Sequence, residues 1–233
     1  MNRATEPDPD SPTIRELLAE ATALLDSESP RLDAEVLLAH ALQQPRSHLL
    51  AWPEKHLSGA QHAAFRQLLQ RRCNGEPVAY LTGEREFWSL SLGVTKDTLI
   101  PRPETETLVA LALERIPADS PQLIADLGTG SGAIALAIAR ERPRCRVIAT
   151  ERAPAALAVA EENARRLGIT TVSFQRGSWC EPLGSLQADL IVSNPPYIAA
   201  ADPHLSRGDV RFEPRGALAA GPTGMDALTA IAA

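Results

Sequence analysis

The stretch Leu123-Ile124-Ala125-Asp126-Leu127 passes directly into Gly128-Thr129-Gly130-Ser131-Gly132 and then into the apolar run 133–139, and no other feature limits the available folds as much. A short apolar run bounded by glycines reads as a buried strand, and the glycines permit a tight turn into the helix that follows. The pattern then repeats. Arg146-Val147-Ile148-Ala149-Thr150 reads as a strand, residues 154–167 as a helix stopped by Gly168, and Thr171-Val172-Ser173-Phe174 and Asp189-Leu190-Ile191-Val192-Ser193 as two more strands. Strands alternating with helices of this length imply an α/β fold with a parallel sheet and right-handed crossovers.

The first part of the chain has a different period. Residues 1–10 are acidic and proline-containing, and read as a flexible tail. Residues 11–75 read as a small helical bundle. Ile14, Leu17, Leu18, Ala21, Leu24 and Leu25 form one stripe behind Thr13 and Glu16 in capping-box spacing. Ser29-Pro30 opens a second helix carrying Ala34, Leu37, Leu38, Ala41 and Leu42, and Ser58 with Gln61 opens a third carrying Phe65, Leu68 and Leu69. Residues 76–100 read as a β-hairpin linker, with Val78, Tyr80 and Leu81, then Phe87, Trp88, Leu90, Leu92 and Val94, bounded by Gly83 and Gly93. Residues 101–233 form the remaining α/β domain, entered through the proline-restricted Pro101-Arg102-Pro103-Glu104-Thr105-Glu106.

A hydrophobic fraction of 44% supports a buried core, and a net charge of −6 disfavours a nucleic-acid partner, which normally meets a basic face. Cys73, Cys145 and Cys180 form no C-x-x-C pair, and the five histidines show no paired metal spacing, so no metal is expected. With no apolar leader at the start and no run long enough to span a bilayer, the expected location is the cytoplasm, without membrane attachment.

The glycine turn sits where open α/β sheets bind nucleotides, and Glu151 ends the next strand about 20 positions later, the spacing of an acid that accepts from ribose hydroxyls. Gly128, Gly130 and Ala133 also satisfy the dinucleotide pattern, which leaves NAD open at this point. Asn194-Pro195-Pro196-Tyr197 follows the fourth strand and faces the same crevice. It suits a planar amino group on an sp² carbon. The Asn194 carbonyl accepts one N–H, a backbone carbonyl near Pro195 accepts the other, neither proline competes as a donor, and Tyr197 covers the flat face. Such a site would act by positioning and electrostatics, aiming a poorly nucleophilic nitrogen at an electrophilic methyl.

Asp126-Leu127-Gly128-Thr129-Gly130-Ser131-Gly132 together with Asn194-Pro195-Pro196-Tyr197 resembles the class I S-adenosylmethionine-dependent methyltransferases that modify exocyclic or amide nitrogens. Arg71-Arg72 with Gly75-Glu76-Pro77, Glu86-Phe87-Trp88, residues 100–106 and Gly208-Asp209-Val210-Arg211-Phe212-Glu213-Pro214 narrow the resemblance to the HemK/PrmC family of release-factor glutamine N5-methyltransferases. It implies a Rossmann-like methyltransferase domain preceded by a helical domain that recognises the substrate. The cofactor would be S-adenosyl-L-methionine, and the partners class-one peptide-chain release factors, methylated on the glutamine of their Gly-Gly-Gln loop. Carried over by position, Asp126, Gly128, Thr129, Gly130, Ser131, Gly132, Glu151, Trp179 and Asn194 would bind cofactor. Asn194, Pro195, Pro196 and Tyr197 would be catalytic, and Phe87, Arg102 and Glu104 would be weaker substrate contacts. The family more often has Asp where this chain has Glu151 and Ser178.

Two other activities fit parts of the pattern: an adenine-N6 or cytosine-N4 nucleic-acid methyltransferase using the same Asn-Pro-Pro-Tyr segment, and an NAD-dependent oxidoreductase. A third reading follows from length. The resemblance implies three further strands after the fourth, and the sequence runs only to Ala233. The expected sheet therefore lacks its C-terminal strands and leaves the fourth as an exposed edge, so an inactive, C-terminally shortened binding module is also considered.

Overall fold

The computed structural model describes residues 11–233, so the tail expected over 1–10 lies outside the described residues. The chain divides into two compact units, Met1–Thr82 and Gly83–Ala233.

The first unit is helical: α1 (Ile14–Leu24), α2 (Pro30–Leu42), α3 (Arg46–Ala51), α4 (Gly59–Cys73) and α5 (Val78–Thr82). Capping boxes close the starts of α1, through Thr13 and Glu16, and of α4, through Ser58 and Gln61. Ser29 makes no side-chain cap at α2, where Pro30 alone marks the first turn. Ile14, Leu17, Leu37, Leu38 and Phe65 form the centre of the core. The paired arginines of the sequence motif have structural work here. Arg72 donates to Asp33 across α4 and α2 at 2.9 Å, and Arg71 binds Glu76 just past the end of α4.

The hairpin expected over 76–100 is shorter than its apolar texture suggests. Val78–Thr82 is helical, because Pro77 can start a helix and its carbonyl accepts from Tyr80 and Leu81, while Ala79 and Leu81 are buried. Burial of one helix face overrides the strand preference of Val78 and Tyr80.

In the second unit, β1 (Glu84–Phe87) and β2 (Leu90–Gly93) pair antiparallel. Trp88 and Ser89 turn between them, both with positive φ, the signature of a type I′ turn. Then follow α6 (Glu106–Arg115), β3 (Leu123–Leu127), α7 (Ala133–Glu141), β4 (Arg146–Glu151), α8 (Pro154–Leu167), β5 (Val172–Arg176), β6 (Leu190–Ser193) and α9 (Asp226–Ala232). The strands β3 to β6 form a wholly parallel sheet in the order β5-β4-β3-β6. The fold is thus α/β with a Rossmann-like parallel sheet. The outer strand β6 leaves Ile191 48% exposed and buries Val192.

From β3 the chain steps to β4 and β5 on one side and returns with β6 on the other, which makes the end of β3 a topological switch point. Leu127 is in register with Thr150 on β4 and with Ser193 on β6. The residues that come next, Gly128, Glu151 and Asn194, therefore emerge together at one edge of the sheet. Among the described residues no helix is long and apolar enough to cross a membrane.

Candidate functional site

A cleft at this carboxyl edge has an empty volume of about 1070 Å³, counting its open mouth. It is lined by Gly128, Thr129, Gly130 and Ser131 after β3, by Glu151 at the end of β4, by Ser178 and Trp179 after β5, and by Asn194, Pro195 and Pro196 after β6. Pro101, Arg102 and Thr105 line it as well. One crevice thus gathers the glycine turn, the acid and the Asn-Pro-Pro segment, although they are far apart in sequence.

Each wall has a local cause. Gly128 (φ +73°) and Gly132 (φ +85°) adopt the left-handed backbone that the turn requires, and Gly132 starts α7. A Cβ on Gly128 would stand 3.2 Å from Trp179 Cζ3, so the indole reaches the turn because no side chain intervenes. Trp179 itself has φ +49°, a strained conformation for this residue, and its carbonyl accepts from the Thr150 hydroxyl at 2.9 Å. Glu151 is fixed at both oxygens: Oε2 accepts from Gly130 N at 3.1 Å and Oε1 from Ala153 N at 2.9 Å. Each oxygen keeps acceptor capacity for a further donor.

Asn194 donates from Nδ2 to Thr105 Oγ1 at 3.3 Å. With the amide in this orientation Oδ1 is left as an acceptor, in a stretch where Pro195 and Pro196 have no N–H to offer. Thr105 lies at the end of a 3₁₀ turn, Pro103–Thr105, which follows a segment held by Glu213. The Glu213 side chain is 0% exposed, and it accepts from Ile100 N at 3.0 Å and from the Arg102 guanidinium.

Several residues predicted from sequence lie elsewhere. Phe87, read as a substrate contact, is a core side chain at 1% exposure, since its face of β1 packs onto the sheet unit. Glu104 is exposed and does not line the cleft. The neighbouring Glu106 has the defined partner, accepting from Trp88 N at 2.9 Å. Tyr197 is 65% exposed and also lies outside the lining, because its backbone turns away to pair Ile198 with Leu218. Gly132 shapes the turn without lining the cleft. Thr105 and Glu213 are functional residues that local sequence pattern does not mark. Thr105 sits between Glu104 and Glu106 in the sequence, and Glu213 pairs with residues more than a hundred positions away.

Asp126 is wholly buried beneath the turn rather than in the cleft. Its Oδ2 accepts from Thr129 Oγ1 at 2.6 Å and from Ala135 N at 3.2 Å, while Oδ1 has no partner. Burial pushes its pKa up to about 6, with the Glu151 charge adding, against the lowering effect of the Thr129 and Ala135 bonds. The folded value lies above the unfolded value of 3.8, so the native state holds this proton more tightly. The resulting stabilisation is complete below about pH 4 and is lost as pH rises through about 6, an effect of about 3 kcal/mol at most. Asp126→Asn is expected to flatten this part of the stability profile. Urea unfolding of parent and variant at pH 4.5 and 7.5 measures it, and identical pH dependence in the two would rule the assignment out.

The lining fits a nucleoside. No heavy atom stands within 4 Å of the place a Gly130 Cβ would take, which leaves room against the turn. Glu151 offers acceptors, Trp179 a flat aromatic face, and Ala133 and Ile134 apolar surface.

The chain matches two family models, the PrmC N-terminal domain over residues 16–83 and the methyltransferase small domain over residues 105–208. It is 54% identical to the release factor glutamine methyltransferase of Salmonella typhimurium, over 89% of this chain and 75% of that protein. It is 52% identical to the protein of the same description from Aliivibrio fischeri, over 91% of this chain and 75% of that one. The Escherichia coli counterpart is 51% identical, again over 91% of this chain and 75% of its own length.

Proposed function

The chain belongs to the release factor glutamine methyltransferase family, and from that premise we propose that it methylates the side-chain nitrogen, N5, of the Gly-Gly-Gln glutamine in class-one peptide-chain release factors. The observation that carries this reading is the position of Asn194: at the end of β6, level with the glycine turn and Glu151, its Nδ2 committed to Thr105 and its Oδ1 left to accept.

In this reading the cleft holds S-adenosyl-L-methionine, which supplies a methyl group made electrophilic by its sulfonium. The glycine turn, residues 128–132, lets the cofactor approach the backbone, Glu151 accepts from the ribose hydroxyls, and Trp179 packs on a flat face. Ser178 contributes no carboxylate to that subsite. Its backbone N–H is already donated to Glu181 at 3.2 Å.

For the substrate, Asn194 Oδ1 accepts one hydrogen of the glutamine amide and the carbonyl near Pro195 accepts the other. Fixing both hydrogens sets the plane of the amide and directs its nitrogen at the methyl. As the N–C bond forms, the bond from sulfur to the methyl would break and leave a neutral thioether, and one of the two held amide protons would pass to solvent; the gain comes from orientation and from dipoles already in place rather than from a strong base. The stiff Pro195-Pro196 backbone keeps those acceptors from collapsing onto one another. Recognition of the release factor is assigned to the helical unit, whose surface carries the exposed side chains of Leu50 and Trp52.

The test is transfer of tritiated methyl from S-adenosylmethionine to purified release factors, with a glutamine-to-alanine loop variant as control. Label is expected in the release factors and not in the loop variant. Label in duplex DNA with none in release factor would replace this reading by the nucleic-acid one.

A further inference from the structure

Asn163 occupies a place where the amphipathic pattern of α8 calls for an apolar side chain. It is 1% exposed and does not line the cleft. Its amide uses both hydrogens and its carbonyl oxygen. Nδ2 donates to Gly93 O at 2.9 Å and to Ser131 O at 2.9 Å, while Oδ1 accepts from Gly93 N at 2.7 Å. The side chain thus pairs with Gly93 as a neighbouring strand would, and with its remaining hydrogen grips the glycine turn. A Cβ at Gly93 would stand 3.0 Å from Asn163 Oδ1 and 3.0 Å from Arg166 Nη1, so a side chain there presses on both neighbours.

The two backbones it joins lead to different walls of one cleft. Ser131 belongs to the turn after β3. Gly93 ends β2 and begins the segment that carries Asp97, Thr98, Leu99 and Pro101 into the lining.

We propose that Asn163 is a positioning residue for cofactor binding, holding the glycine turn and the 97–101 wall at the spacing the cofactor requires. This rests on the reading of the cleft as the S-adenosylmethionine site. A buried amide suits the task because each of its three bonds has a fixed direction, and losing it would leave the Gly93 and Ser131 backbone groups without their partner. A second link between the same helix and hairpin, Arg166 to Glu84 at 2.5 Å, lies at the surface and touches no lining residue, which makes it a natural control.

The experiment is calorimetric titration of S-adenosylhomocysteine into the parent, Asn163→Ala, Gly93→Ala, the double variant and Glu84→Ala, with amide hydrogen exchange across residues 128–132. Asn163→Ala and Gly93→Ala are each expected to weaken binding by roughly 10-fold, the size of a lost buried hydrogen-bond partner. The double variant should be little worse than the weaker single one, since both disrupt the same contact. Exchange in the turn should speed up in both, with Glu84→Ala like the parent in every measurement. In methyl transfer the loss should appear in KM for the cofactor, with kcat at saturation near the parent value.

Parent-like affinity of a folded Asn163→Ala, or additive losses in the double variant, would overturn the proposal. If Asn163→Ala does not fold, Gly93→Ala decides alone, and parent-like affinity there overturns it equally. If the parent itself fails to bind S-adenosylhomocysteine, the cofactor reading fails; turn exchange still judges Asn163, and unchanged protection rejects its role.

Discussion

Asn194→Ala is expected to reduce methyl transfer by about 10²–10³-fold or more in kcat, the scale set by removing one preorganised polar group from a reacting centre. The affinity for S-adenosylhomocysteine is expected to stay close to that of the parent. The asymmetry follows from the placement of the side chain. The remainder of the cleft, including Glu151, Trp179 and the glycine turn, is untouched by the substitution. What disappears is the acceptor at Oδ1, on an amide whose Nδ2 lies 3.3 Å from Thr105 Oγ1. Without it the glutamine amide is free to rotate, and the orientation the site otherwise provides is lost. Thr105→Val removes the hydroxyl that holds Asn194 and keeps the acceptor, so its loss should be smaller and in the same direction. Single-turnover transfer to release factor, with calorimetry alongside, separates the two quantities. Parent-like turnover by Asn194→Ala would remove Asn194 from the chemistry.

Where the sequence could be read correctly, the cause was local. Leu123–Leu127 is an uninterrupted apolar run closed by a glycine, and it forms a strand over those same residues. The helix Pro154–Leu167 has proline in its first turn and Gly168 in a left-handed C-cap, and both of its ends fall where those residues direct. The alternation of elements implied a parallel sheet, and the strand order and register then gather Gly128, Glu151 and Asn194 at one edge.

Other positions share a different property: their environment is made by distant parts of the chain. Phe87 has the composition of a binding aromatic and the burial of a core one. Asp126 belongs to the glycine-turn motif, yet it points into the protein, where it ties Thr129 to the start of α7. Asn163 lies on the apolar face of α8, and only Gly93, 70 positions earlier, gives its amide partners there. Periodicity reports which face of an element is apolar, and it carries no record of which backbone a polar side chain will meet.

Glu213 is the strongest case, and its removal should have the largest effect on stability. The carboxylate is fully buried and binds two groups of one segment, the Ile100 N–H and the Arg102 guanidinium. Glu213→Ala leaves a backbone donor without its partner, and it leaves Arg102, whose side chain is 33% exposed, free to turn toward water. The expected loss is about 3 kcal/mol, between the cost of one orphaned buried donor and that of breaking a fully buried ion pair. For a unit of this size that is a fall of about 6–12 °C in Tm. Glu213→Gln keeps an acceptor for Ile100 N and gives up the charge facing Arg102, so it should recover part of the loss. Cofactor affinity should follow the same order, because Pro101 and Arg102 form part of the cleft wall and Thr105 beyond them orients Asn194. Thermal melts of the three proteins, each with S-adenosylhomocysteine titration, test the ranking. If Glu213→Ala melts with the parent, this carboxylate does not hold the 100–105 segment, and the route from Glu213 through Thr105 to Asn194 is broken at its first link.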